Sequence, residues 1–169
     1  MRKILTATLA AGTLVAGFAH AAGSTASASF QVSATVQATC SATANPLNFN
    51  TYVPGNGNVT ANTTINVKCT NGTAYTVALN GGSTSGGTIG QRLMANGTNT
   101  LQYNLYTNAT WTTLFGDGTT SGSKTDGGTG AGTATVQSYT VYGQLPDNTT
   151  NQAAIPGTYA DTIQVTIAY

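Results

Sequence analysis

Along most of the chain, apolar residues return at every second position, and no window shows a convincing helical period. Side chains of an extended strand point alternately to opposite faces, so a period of two marks a strand with one face buried. Phe30, Val32, Ala34, Val36, Ala38 and Cys40 share one parity, separated by Gln31, Ser33, Thr35, Gln37 and Thr39. The pattern repeats in Ile65, Val67 and Cys69, in Tyr75, Val77 and Leu79, in Leu101, Tyr103 and Leu105, and in Tyr139, Val141, Gly143 and Leu145. The last run is the clearest: Tyr159, Ile163, Val165, Ile167 and Tyr169 share a face, with Thr162, Gln164, Thr166 and Ala168 on the other. A short extra strand is expected through Leu47, Phe49 and Tyr52. Turn chemistry separates these runs at Pro54-Gly55-Asn56-Gly57, Asn71-Gly72, Gly81-Gly82, Gly86-Gly87, Asn96-Gly97 and Pro156-Gly157. Gly116 to Gly132, rich in Gly, Ser and Thr, is expected to be a long mobile loop. Six or seven short strands with this punctuation predict an all-β fold, an antiparallel β-sandwich that is immunoglobulin-like in the broad sense.

The first residues do not belong to that fold. Arg2 and Lys3 precede an apolar run from Ile4 to Phe18, and Ala19-His20-Ala21 supplies small residues at a cleavage position. This is the layout of a secretory signal peptide spanning residues 1–21, too short to cross a bilayer. Its removal leaves 148 of the 169 residues, enough for one domain with a core. It also leaves Lys68, Arg92 and Lys124 against Asp117, Asp126, Asp147 and Asp161, a net charge of −1. Such a chain has no basic stripe with which to neutralise phosphates, so nucleic acid is not an expected partner.

Two cysteines remain, Cys40 and Cys69, and in an exported protein an even pair reads as a disulfide. Zinc is the rival reading, but the only histidine, His20, leaves with the signal peptide and the chain has no Glu to complete a ligand set. The same shortage argues against catalysis: no Ser–His or Cys–His arrangement is available, and four scattered Asp give paired-carboxylate chemistry little to build on. No enzyme activity, cofactor or metal is expected. Asp117 and Asp126 sit among glycines and are read as turn formers in preference to calcium ligands. Most tyrosines share parity with apolar neighbours and are expected in the core, whereas Tyr106, Trp111 and Phe115 adjoin the glycine-rich stretch and are the candidates for surface contact.

The ends of the chain carry the functional reading. The best strand closes the sequence at Tyr169, so that a sandwich ending there lacks a partner for its last edge. An open apolar edge invites pairing with another chain. Upstream of the first cysteine lies a small-residue, alternating segment with the right parity to fill such an edge by β-augmentation. Its candidate inward residues are Ala26, Ala28, Phe30, Val32 and Ala34, and the segment is expected to run from residue 22 to about Ser33; the alternative is that Phe30 to Cys40 pairs wholly within its own domain and only Gly23 to Ser29 is donated.

Phe30-Gln31-Val32-Ser33-Ala34-Thr35-Val36 followed by Cys40 resembles the start of the spore coat protein U domain family, which includes subunits of archaic (Csu-type) chaperone–usher pili. Leu47-Asn48-Phe49, Leu101-Gln102-Tyr103-Asn104-Leu105-Tyr106, Trp111 to Leu114 leading into Gly116-Asp117-Gly118-Thr119, and Pro156 to Ile167 extend the likeness over nearly all of residues 22–169. The resemblance implies an incomplete immunoglobulin-like sandwich (residues 34–169) that lacks its last strand. It further implies a periplasmic chaperone that lends a temporary strand and an outer-membrane usher that exchanges it for the N-terminal extension of the next copy. The product is a homopolymer, joined to other pilus subunits and exported through the periplasm to the cell surface, that supports attachment and biofilm formation. Ile163, Val165, Ile167 and Tyr169 then form the acceptor edge and the chaperone contact. Single-domain length points to a major shaft subunit. The alternatives are an adhesin or carbohydrate-binding module of the same fold, at a pilus tip or secreted, and a secreted coat protein.

Overall fold

The computed structural model describes residues 23–169, which fall into a leading segment ending at Thr35 and a domain from Val36 to Tyr169. The expected signal peptide, residues 1–21, lies outside the described residues. In the leading segment residues 23–35 form no strand and are exposed. The strand expected from Phe30 to Cys40 is therefore not formed, and pairing begins only at Cys40. Alternation fixes which face a strand would bury but supplies no partner for its backbone groups.

The domain's elements in chain order are β1 (Cys40–Ala44), β2 (Val59–Cys69), β3 (Ala74–Leu79), β4 (Arg92–Asn96), β5 (Asn99–Tyr106), β6 (Leu114–Phe115), β7 (Ser123–Lys124), β8 (Asp126–Thr129), β9 (Gln137–Leu145), α1 (Thr149–Gln152) and β10 (Val165–Ala168). One sheet runs β1-β2-β9-β5-β6-β7, with β4 paired to β5, and the other runs β10-β3-β8. Every pairing is antiparallel except the short parallel contact of β6 with β7. The apolar parities read from the sequence meet between the sheets: Ile65, Val67, Leu101, Tyr103, Leu105, Val141 and Leu145 from the first pack with Tyr75, Val77 and Leu79 from the second. Cys40 and Cys69 face each other across the β1–β2 ladder and are joined by a disulfide.

Several expectations about irregular regions change. Gly116 to Gly132 is not a long loop, because it holds β7 and β8. Its glycines serve close approach as well as turning: a Cβ on Gly127 would run into the Tyr75 carbonyl, and one on Gly130 into the Thr70 carbonyl. Asp117 closes the turn before β7, accepting from the Thr119 and Thr120 amides at 2.9 and 2.7 Å and from Ser123 Oγ at 3.1 Å. Asp126 lies within β8, where it accepts from the Gly127 amide. Phe115 is fully buried, so of the three aromatic residues considered for surface contact only Trp111 is exposed. Leu47 to Tyr52 is not a strand, since Asn50 has a φ of 57°. Leu47 and Phe49 instead lie over Gly143 of β9, where a Cβ would stand 2.8 Å from Leu47 Cδ1. Finally, α1 is a single turn, too short to show a period, capped by Asn148 and anchored by the buried Asn151.

Asn151 accepts from the Gln102 amide and donates to the Gln102 and Pro146 carbonyls, tying this turn to the edge of β5. The two sheets lie close together at one margin. There, β7 ends the first sheet and β8 ends the second, and Thr125 alone separates them in sequence.

Candidate functional site

The opposite side stays open. The first sheet ends in β1, bonded to β2, and the second ends in β10, bonded to β3; among the described residues neither has a strand on its outer edge. A cavity of about 450 Å³ lies between them. Its floor is core, with Ile65, Leu79, Tyr103, Leu105 and Val141; one wall is Ala44 to Leu47 and the other includes Tyr159 to Ile163 and Val165. A second cavity of about 570 Å³ shares Leu47, Phe49, Met94 and Tyr159 and runs on past Tyr52, Leu101, Leu145 and Ala154 to Thr158. Together they make a groove that reaches down to the core of the sandwich, whose side chains stay nearly fully buried beneath it. Ile163, Val165 and Ile167 are only half-buried, whereas Val77 and Leu79 on the paired neighbour β3 are fully buried.

The expected final strand is shorter than its alternation. Only Val165–Ala168 forms a ladder, to Leu79–Thr76 of β3. Before it, Ala160 makes an isolated bridge with Ala95 and the Gln164 carbonyl accepts from the Asn80 amide at 3.2 Å, while side chains serve the amides between. The Thr162 amide donates to Ser83 Oγ at 3.2 Å, and the Gln164 amide donates to Asn80 Oδ1 at 2.9 Å.

Asp161 fastens this wall. Its Oδ1 accepts from the amides of Ser83 and Thr84, both at 2.9 Å, and from their hydroxyls, both at 3.0 Å. Its Oδ2 accepts from the Tyr103 hydroxyl at 2.7 Å. The loop approaches so closely at Gly82, with a φ of 97°, that a Cβ there would strike the carboxylate. Partial burial pushes the Asp161 carboxyl up, but bonds from Tyr103, Thr162, Ser83 and Thr84 outweigh it and hold it below the ordinary carboxylate range. The Tyr103 hydroxyl is pushed up by burial and by this bond, so it remains a donor.

Arg92 holds the same loop from beneath. It is fully buried and donates from Nε and Nη2 to the Asn80 carbonyl at 3.0 and 2.8 Å, and from Nη2 to the Phe115 carbonyl at 2.7 Å. Burial lowers its pKa to about 10, so it stays charged at neutral pH. The far end of the groove has its own anchor in Asp147, which accepts from the Tyr52 hydroxyl at 2.6 Å and from the Gly55 and Gly57 amides at 3.0 and 2.8 Å.

The sequence-based candidates occupy two places. Ile163 and Val165 line the groove, Ile167 is half-buried further along β10, and Tyr169, 62% exposed, follows β10. Ala26, Ala28 and Ala34 are exposed in the leading segment, with Phe30 88% and Val32 83% exposed. Asn80, Ser83, Arg92 and Asp161 were missed as site residues. For Asp161 a signal exists, since a carboxylate at the parity of Tyr159 and Ile163 must face inward and find donors. Nothing local in the sequence points to Asn80 or Ser83.

Among the described residues no group of three or more His, Cys, Asp or Glu side chains comes together as a metal site, and no helix is long and apolar enough to cross a membrane.

The sequence matches the model of the Spore Coat Protein U domain over residues 26–166. No curated protein matches it. Among solved structures, the fold is similar to a chain in the CsuC–CsuE chaperone–tip adhesion subunit pre-assembly complex from archaic chaperone–usher Csu pili of Acinetobacter baumannii, with a TM-score of 0.57 at 23% sequence identity. The match covers 80% of this chain and 41% of that one, so the chain spans about two-fifths of that neighbour's length.

Proposed function

The chain belongs to the Spore Coat Protein U domain family, and from that premise we propose that it is a structural pilus subunit that polymerises by donor-strand exchange. Such a protein is not an enzyme, and its chemistry is the completion of one copy's core by backbone from another. Residues 22–33 are the donor extension, residues 34–169 the receiving domain, and residues 1–21 a signal peptide removed on export. A periplasmic chaperone holds the groove until an outer-membrane usher exchanges it for the next copy's extension. The resulting filament, joined to other pilus subunits, stands on the cell surface and supports attachment and biofilm formation.

One observation carries this reading: β1 and β10 have no strand on their outer edges and a groove beside them reaches down to the core, while an alternating segment with Phe30 and Val32 exposed forms no strand. A donor laid in the groove meets the free edge of a sheet, and each ladder hydrogen bond contributes about 1 kcal/mol net. Each buried Phe or Val adds roughly 1.5–3 kcal/mol. The donor is covalently part of the next subunit, so the joint needs no disulfide between chains.

Deletion of residues 22–33 tests the proposal. The truncated chain is expected to cap wild-type donors and shorten their polymers, and to form no polymer alone, as read by electron microscopy and by gel after mild detergent. Polymers of the truncated chain alone would overturn it.

A further inference from the structure

The exposed alternation continues past the expected end of the donor. Val36 keeps the parity of Phe30 and Val32, is 83% exposed, and precedes the first strand. Within the domain, backbone anchoring starts at Thr39, whose amide donates to Thr70 Oγ1 and whose carbonyl accepts from the Thr70 amide, both at 2.9 Å. Only Gln37 and Ala38 lie between Val36 and that anchor.

The groove asks for more apolar length than a donor ending at Ser33 supplies. Its β10-side wall lines the two cavities from Ala154 to Val165, and the stretch from Tyr159 to Val165 alone runs about 20 Å at the rise of a strand. Phe30 to Val36 covers the same number of residues. Ending at Ser33 leaves Phe30 and Val32, at adjacent inward positions, as the only large apolar groups, with alanines at 26 and 28 for the remainder. Resting on the donor-strand reading above, we propose that the donor segment extends through Val36, which seats in the groove of the neighbouring copy. The partner is a second copy of this chain. The linker between the seated strand and its own domain is then the pair Gln37-Ala38, and Val36 to Thr39 spans at most about 10 Å. Consecutive domains therefore abut and the filament joint is stiff.

The test uses full-length chains carrying Val36→Ser, Val32→Ser or, as a control in the β8–β9 connection, Val136→Ser, assembled into polymers. The readout is the rate at which joints dissociate in denaturant. Joints of Val36→Ser and of Val32→Ser are expected to dissociate roughly tenfold to a hundredfold faster than wild type, the equivalent of losing one buried Val, and the control at the wild-type rate. If Val32→Ser weakens the joint and Val36→Ser does not, the donor ends before Val36 and this inference fails while the donor-strand reading survives. If neither weakens it, both fail. Joints built from two distinguishable copies separate the remaining case. Faster dissociation is expected when the donor copy alone carries Val36→Ser, and faster dissociation when the acceptor copy alone carries it places Val36 in its own domain and overturns the inference.

Discussion

Asp161 and Arg92 are the two charges on which the open wall of the groove depends, and they act in different ways. Asp161 gathers five donors from the Ser83–Thr84 backbone and side chains and from Tyr103. An Asn there keeps one acceptor and turns an NH₂ group towards groups that can only donate or must reorient. Asp161→Asn is expected to lower stability at neutral pH by about 1–2 kcal/mol, read from denaturant unfolding. The pH dependence follows from the sign of the shift. A carboxyl held below its unfolded value contributes stability that is fully present above that value, about pH 4, and is lost as pH falls through the folded value. Asp147, lowered to about 2 by Tyr52 and the Gly55 and Gly57 amides, acts in the same direction. The melting temperature should be flat above about pH 4 and fall below it, with a shallower fall in Asp161→Asn; an identical acid limb in both proteins would show that Asp161 is not a contributor. Arg92 has no pH window in this range, because even at about 10 its pKa leaves it charged. Its role is to satisfy the Asn80 and Phe115 carbonyls. Arg92→Met leaves both without that donor and is expected to destabilise by about 3 kcal/mol or more. Arg92→Lys should recover only part, since a single ammonium cannot reproduce the fork.

At the scale of elements, β1 is held to the sheet on one side only, and the Cys40–Cys69 bond fixes its first residue. Replacing both cysteines with Ser is expected to lower stability by roughly 3–4 kcal/mol in the chain-entropy model for a loop of about 30 residues. β1 is also one margin of the groove, so the same change should reduce polymer yield more than the loss of folded protein accounts for, measured by comparing the two in one preparation. Gly143 makes the parallel case on β9: Gly143→Val has no room beneath Leu47 and Phe49 and should displace that wall. These elements also mark how far the sequence was readable. β2, β3, β5 and β9 were legible because each has a buried face against a sheet opposite, so alternation and burial coincide. β7 and β8 were not, since β7 is only Ser123-Lys124 and the glycines of β8 are there for close backbone approach, so neither carries an apolar signal. Phe30 to Ala38 has full alternation and forms no strand within the single copy. At the groove the sequence showed the apolar parity of Ile163 and Val165. It did not show the fastening of that wall by Asn80 and Ser83, because those contacts join residues some 80 positions apart.

For the molecule as a whole, the strand-exchange reading separates the properties of the assembled filament from those of the single copy. Phe30 is almost fully exposed in one copy, so Phe30→Ser should leave the unfolding of an unassembled, chaperone-held subunit unchanged. In the polymer the same residue is buried in a neighbour, and its loss should lower the melting temperature of the joint, with roughly 1.5–3 kcal/mol removed per junction. The joint's response to salt follows from the same account. Residues 22–36 contain no charged side chain, and of the groove-lining residues only Asp161 is charged, with its oxygens already engaged by Ser83, Thr84 and Tyr103. Attraction between exposed charges is screened within about 10 Å at 0.1 M salt, but burial of apolar surface and backbone hydrogen bonding are not. Joint dissociation measured from 0.05 to about 1 M sodium chloride, a range over which that screening length falls to about 3 Å, should therefore change by less than a factor of a few. A steep acceleration with salt would mean that charges outside the groove hold the filament together, and the open edge of β10 would then not be where the copies join.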